Sequence, residues 1–371
     1  MLGLPQWVKG RTSRQAHVAL PAGTVEEEHG RLGFFGAASH LYRLHAPTGW
    51  TSVKGPAAHH ALDCTQLKTP DGLWPTSLLY NADLHIGFQR YETGRPEFLR
   101  NADADELYFV HVGSGLLRTE YGPLRYGEGD YIVMPRGVTY RFEIAEPTSL
   151  LWVQNLSGLI DLPDRGILGR HALFDPAVLE VPEAEAVEEE GEFVIAVKRM
   201  GETTLVTYPF HPCDAVGWKG DLAPMRLNVT DIRPIASPRY HLPPSAHSTW
   251  EGNGFVVCTF APRPGEEDPE ALKLPFYHRN IDYDEVIFYH SGNFMSREGI
   301  EAGMLTFHPH GLHHGPQPNA VKRAAAAPQS GPRMLDEYAV MIDSRQPLLV
   351  SDAALKVDVS GYEMSWADAG Q

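Results

Sequence analysis

LRNADADELYFVHVG at residues 99–113 and HRNIDYDEVIFYHSG at 278–292 align without a gap. They share Arg100/Arg279, Asn101/Asn280, Asp103/Asp282, Asp105/Asp284, Glu106/Glu285, Phe109/Phe288 and Gly113/Gly292. A second match follows each of them. GEGDYIVMPRGVTY (127–140) runs parallel to the stretch from Gly303 to His314 at Gly129/Gly303, Pro135/Pro309, Gly137/Gly311 and Tyr140/His314. Repetition of this kind means that one structural unit occurs twice. Around the first copy, residues 77–153 read as short, near-alternating apolar runs broken by Gly and Pro at roughly 8–12-residue intervals, the pattern of an all-β barrel or sandwich. The expected body is therefore mainly all-β, two packed barrels with few short helices.

Outside the repeat the chain is less regular. Residues 1–50 carry little periodicity and read as an arm or loop wrapped on the body. Residues 180–192, EVPEAEAVEEEGE, read as a solvated acidic loop. KRAAAAPQSGPR (322–333) reads as an exposed loop, and YAVMIDSRQPLLVS closes the sheet.

Composition narrows the function. The 371 residues are 43% hydrophobic and 21% charged, enough for a packed core in two domains. The net charge of −16 disfavours nucleic acid and anionic membrane as partners, since both need a basic face. Cys64, Cys213 and Cys258 form neither a disulfide framework nor a zinc motif. No stretch approaches the ~18 apolar residues of a membrane span, and no apolar leader opens the chain, so a cytoplasmic protein is expected.

The copies differ where metal chemistry is concerned. Leu99 and Tyr140 of the first stand where the second has His278 and His314. His278, Glu285 seven residues on, and the later Pro309-x-Gly311-x-x-His314 resemble the two motifs of the cupin superfamily. There a His and a Glu from one hairpin and a His from a later strand converge inside a small barrel. Asn280 occupies the place of the usual second His, which leaves three candidate ligands: His278, Glu285 and His314. Two imidazoles and one carboxylate leave coordination positions open, the facial arrangement of non-haem Fe(II) oxygenases. Neighbouring His308, His310 and His313 cannot all face the same ion, because strand side chains alternate. The reading is a double-stranded β-helix (jelly-roll) bicupin. Residues 1–235 form an N-terminal domain with a degenerate, metal-free barrel whose core is about 77–155. Residues 236–371 form the barrel that carries the iron site.

The resemblance extends to homogentisate 1,2-dioxygenases. YHRN (277–280), the following Glu285 and LTFHPHGLHHGP (305–316) resemble that family's ligand region. GLIDLPDRGILGRHALFDP (158–176), PFHPCDAVGWKGDLAPMRLNV (209–229), YAVMIDS (338–344), Tyr362 and Trp366 resemble further family segments, so the likeness spans most of the chain beyond about residue 77. It implies Fe(II), O₂ and opening of homogentisate to maleylacetoacetate in tyrosine and phenylalanine breakdown. It also implies a homo-oligomer, a trimer or hexamer. The family's acid/base His lies beside the substrate and not on the metal; YHLPPS (240–245) makes His241 its counterpart, with His247 as a rival. Tyr277, Phe294, His308 and His314 are the candidates for substrate contact.

Three features depart from the family. The chain is shorter between His241 and His278, the His-to-Glu spacing is one residue longer, and a substrate-contacting Tyr falls on Phe294. A Phe donates no hydrogen bond, so a related hydroxylated aromatic acid, gentisate-like, is the alternative substrate. Tyr277, Tyr283 and Tyr289 are possible replacements. A cupin isomerase and a non-enzymatic metal-binding bicupin are the remaining readings.

Overall fold

The computed structural model describes residues 7–68, 72–294, 296–326 and 331–367. Strands dominate, and among the described residues the α-helices are Pro318–Ala326 and Asp352–Leu355. Two β-barrels of the cupin kind pack against each other. The first is built on an eleven-stranded sheet that includes Leu84–Tyr91, Phe98–Asn101, Asp105–Thr119, Asp130–Met134 and Thr139–Asn155. The second rests on a six-stranded sheet ordered Ser248–Gly252, Phe255–Phe260, Glu337–Ser344, Asp284–Gly292, Met304–His308, His60–Asp63.

Alternation along the two repeated strands explains the packing. In the first copy, Leu107 and Phe109 point into the core shared by both sheets, while Tyr108 and Val110 fill the interior of their own barrel. In the second copy, Val286 and Phe288 join the shared core. That turns Glu285, Ile287 and Tyr289 into the interior of the second barrel, where they line a cavity. The first barrel has no such room: Leu99, Leu117, Ile132, Phe142 and Trp152 close it.

The repeat is structural as well as textual. Gly113 and Gly292 have φ of 97° and 95°. A Cβ on Gly113 would stand 2.4 Å from Pro147 O, and one on Gly292 2.4 Å from Asp336 O. Only glycine takes that conformation cheaply with a neighbouring strand so close. Gly292→Ala should therefore lower stability by about 1–3 kcal/mol, read from the urea midpoint at unchanged slope.

Strands are exchanged between the halves. His60–Asp63 pairs with Met304–His308 at the edge of the second sheet, and Leu349–Val350 pairs with Thr76–Tyr80 in the first. The N-terminal arm is more ordered than its sequence predicts. Val25–Gly30 lies parallel to Tyr277–Asn280 and antiparallel to Ala38–Arg43. Its consecutive acids hide it from a hydropathy pattern. Glu26, Glu27 and Glu28 are all buried, with His17, His40, Arg43, Arg279 and His313 beside them as counter-groups. The Ala-rich stretch also departs from expectation, since residues 322–326 continue a helix that begins at Pro318, consistent with the helix propensity of alanine. Residues 181–189 form no regular structure, as read, although Glu190 already opens a strand.

Several histidines are buried uncharged. Burial holds His247 down to about 3 and His111 down to about 4. His290 is held at about 4 by burial and by His111. Their ordinary value is near 6.5, so below that pH the unfolded chain binds more protons than the folded one. Stability is then intact above pH ~6.5 and falls as pH drops towards the folded values. At pH 5 the loss should be on the order of 2 kcal/mol for each of these histidines. Thermal melts at pH 7 and pH 5 check this; an unchanged midpoint contradicts it.

Candidate metal centre

Strand ends bring the second copy's donors together. His278 lies on Tyr277–Asn280 and faces His314 across a backbone pair in which each N–H donates to the other's carbonyl at 2.9 Å. Leu99 and Tyr140 are likewise antiparallel partners in the first copy. The two imidazoles are therefore side by side, with ring centroids 4.1 Å apart. Each ring is set by a backbone carbonyl: His278 Nδ1 lies 3.1 Å from Phe276 O, and His314 Nδ1 lies 3.3 Å from Leu312 O. With the proton on Nδ1, Nε2 is free to coordinate. Glu285 completes the set, Oε2 at 3.4 Å from His278 Nε2 and Oε1 at 3.4 Å from His314 Nε2.

These atoms fit a small divalent ion. All three ligand atoms lie within 4.8 Å of one another, and all three residues are buried. His314 Nε2 has no hydrogen-bond partner, an expensive state for a buried polar atom unless something binds it. Burial would raise the Glu285 carboxyl, yet His314, His278 and His308 around it hold it well below the usual range. It is a carboxylate, as a ligand must be.

His308 supports this carboxylate. Its Nδ1 is 2.8 Å from Glu285 Oε1, and its Nε2 is 3.1 Å from the Tyr362 hydroxyl. Burial depresses its basicity, to about 3, so the ring is neutral and donates Nδ1–H to the carboxylate.

The first copy keeps its glutamate but not its ligands. Glu106 is fully buried. Its Oε2 accepts from Tyr140 OH at 2.7 Å, and its Oε1 accepts from Trp152 Nε1 at 2.9 Å with the Tyr108 hydroxyl at 3.2 Å. Neutral donors surround this carboxylate where the second copy places two imidazoles.

A cavity opens beside the donors of the second copy. His278, Glu285, His241, Glu266, Arg297 and Phe34 are among its walls. His241 does not join the three donors: its Nδ1 is 2.7 Å from Glu266 Oε1. Burial would raise the Glu266 carboxyl, but the His241 contact outweighs it and keeps it low. His247 also lines the cavity. Tyr277, Phe294 and His308 do not. Tyr277 alternates away from His278 and packs under Gly315; Phe294 packs edge-on to Tyr289 with ring centroids 4.8 Å apart; His308 lies behind Glu285. His314 is not among the cavity walls either; it stands beside His278 and Glu285, which are. Tyr289 lines the cavity, with its hydroxyl 3.3 Å from Thr306 Oγ1; Tyr283 lies outside it.

Two wall residues were not legible in the sequence. Glu266 sits in the acidic run EEDPE, which gives no hint that one member is buried beneath a histidine. Arg297 is 8% exposed, donates to Gly315 O at 2.7 Å and leaves Nε without a partner. Nothing in SREG marks it, because its place comes from the turn that follows the second repeat.

The comparisons agree with this architecture. Models described as homogentisate 1,2-dioxygenase N-terminal and C-terminal match residues 85–229 and 243–369. A Saccharolobus solfataricus protein described as a candidate dioxygenase is 36% identical over 361 residues, 92% of either chain. A homogentisate 1,2-dioxygenase of Rhodopseudomonas palustris is 26% identical over 262 residues, 68% of this chain and 58% of that enzyme. Among solved structures, the Escherichia coli protein Ylba aligns over 80% of this chain and 95% of its own at 9% identity and a TM-score of 0.39. No helix among the described residues is long and apolar enough to cross a membrane. With the matched regions falling on the two barrels and on the histidine–glutamate cluster, the chain belongs to the homogentisate 1,2-dioxygenase family and is a dioxygenase.

Proposed function

We propose that the protein is an Fe(II)-dependent ring-cleaving dioxygenase that opens homogentisate to maleylacetoacetate with O₂, a step of tyrosine and phenylalanine breakdown. The observation that carries this is the buried His278–Glu285–His314 cluster at the wall of a cavity that also holds an imidazole–carboxylate pair. Bound there, Fe(II) would supply a Lewis acid and one-electron chemistry with positions open to substrate and O₂.

The chain's own groups supply the rest. His241 is the acid/base. A neutral ring that donates Nδ1–H to Glu266 keeps Nε2 free to take a phenolic proton and to return it later. Glu266 is a positioning residue that holds this tautomer. Arg297, with an unpartnered buried Nε, supports recognition of an acidic arm on the substrate. Phe34, Phe260, Phe276 and Ile287 give the ring an apolar seat and exclude water.

A second reading, a related hydroxylated aromatic acid such as a gentisate-like compound, is favoured by Phe294. It brings no hydroxyl where the family has a tyrosine, and it packs on Tyr289 instead of lining the cavity. The test is oxygen uptake by anaerobically Fe(II)-loaded protein over a panel of hydroquinone acids. Fastest turnover with homogentisate supports the first reading, and preference for a gentisate-like acid the second. Iron loading without uptake on any member overturns both.

A further inference from the structure

The N-terminal arm carries a second set of metal-binding donors. Strands Val25–Gly30 and Ala38–Arg43 run antiparallel, with Glu28 opposite His40 and Glu26 opposite Tyr42. Glu26 and His40 are thus diagonal neighbours on one face. His17 arrives from the preceding turn. Its backbone N–H donates to Glu26 Oε2 at 2.9 Å, and its Nδ1 is 3.0 Å from the same oxygen. His40 Nδ1 is 3.2 Å from Glu26 Oε1. The three ligand atoms all lie within 4.8 Å of one another.

The set is incomplete as a hydrogen-bond network. Glu26 is 2% exposed and His17 6%. Glu26 Oε1 and His40 Nδ1 are both shielded from solvent, and neither has a hydrogen-bond partner of acceptable geometry in spite of their proximity. A buried carboxylate oxygen that lies near an imidazole nitrogen without a well-formed bond to it is destabilising, because both atoms have lost their water. A cation between them removes that cost. The spacing also suits one: donors about 2.1 Å from a tetrahedral zinc stand about 3.4 Å from each other, close to the 3.0 and 3.2 Å here. A further acid, Glu28, has Oε2 3.8 Å from His40 Nε2 and adds negative charge to the neighbourhood.

We propose that His17, Glu26 and His40 form a divalent-cation site of the zinc type, separate from the centre at His278. The site fastens the arm to the wall of the cavity. His17 stacks on Phe276 with ring centroids 4.2 Å apart, and Phe276 O holds His278 Nδ1. Phe34, between the two strands of the arm, sits edge-on to His278 at 5.3 Å. A cation at the arm therefore helps fix two aromatic walls of the cavity without touching the substrate. The proposal does not depend on which reaction the cavity performs.

The test is zinc titration by calorimetry of the full chain, with elemental analysis after dialysis. Wild type should bind zinc at two separable sites. His40→Ala, at a partly exposed position, should lose one of them and keep the other, and His278→Ala should do the reverse. His40→Cys, which offers a thiolate in the same place, should restore the lost site. Circular dichroism of each variant guards against misfolding, and trypsin should cut the arm of His40→Ala faster than that of zinc-loaded wild type. Zinc binding by His278→Ala that is undiminished when His40→Ala or Glu26→Gln is added overturns the proposal. So does His278→Ala protein that is folded and binds no zinc.

Discussion

His278→Ala should give a folded protein that retains no iron after anaerobic loading and shows no ring cleavage. The substitution removes one of the two imidazoles that face the Glu285 carboxylate and leaves His314 Nε2 and that carboxylate alone. Two donors do not hold Fe(II) against dialysis at neutral pH. The activity loss should exceed the roughly 10²–10⁴-fold that removal of a positioned acid or base produces, since every later step needs the ion. Elemental analysis and oxygen uptake measure both effects. Iron content equal to wild type would remove His278 from the ligand set. The mirror-image experiment is Tyr140→His, which should create no second centre. Leu99 still offers no donor, and Glu106 still accepts from Trp152.

His241→Ala should separate the ion from the chemistry. Its side chain contacts Glu266 and no member of the metal cluster, so iron should be retained in full. Turnover should fall about 10²–10⁴-fold, the usual cost of losing a positioned general base. The phenol of a bound hydroquinone has an ordinary pKa near 10, by analogy with tyrosine, too high for unaided loss at neutral pH. Glu266→Gln should give a smaller loss and alter the pH profile of kcat, because the amide still fills the space but no longer favours Nδ1–H. Loss of iron from His241→Ala would make it a ligand and break the triad. Iron and turnover both near wild type would move the base elsewhere, with His247 the next residue on the same wall.

The parts of this architecture that were legible in the sequence are those fixed by local constraint. Gly113 and Gly292 are readable because a close strand and a positive φ admit nothing else. Glu285 is readable because its strand alternates and its counterpart Glu106 repeats seven places after Leu99, as Glu285 does after His278. Elements that depend on distant partners were not legible. Val25–Gly30 falls in the stretch that reads as an arm or loop, and becomes a buried strand only through His and Arg groups from elsewhere in the chain. Arg297 and Glu266 owe their roles to burial beside a cavity whose walls come from several separate segments. Tyr277 and Phe294, read as substrate contacts, lie off the cavity wall for a related reason. Sequence neighbours of a ligand alternate away from it, and a turn residue can lie against the wall without joining it.

The exchanged strands set an order on synthesis. His60–Asp63 leaves the ribosome long before Met304–His308, its partner, and Thr76–Tyr80 precedes Leu349–Val350 by a similar span. At roughly 5–20 residues per second, the intervening ~240–270 residues take on the order of 10–50 s. Through that interval the edge of each early strand is open to any other chain on the same polysome. Neither barrel can seal itself while its late strand, Met304–His308 or Leu349–Val350, is still inside the exit tunnel. A nascent chain halted near residue 300 should therefore be protease-sensitive around His60 and Thr76, and protection should arrive only once Met304–His308 and Leu349–Val350 have emerged.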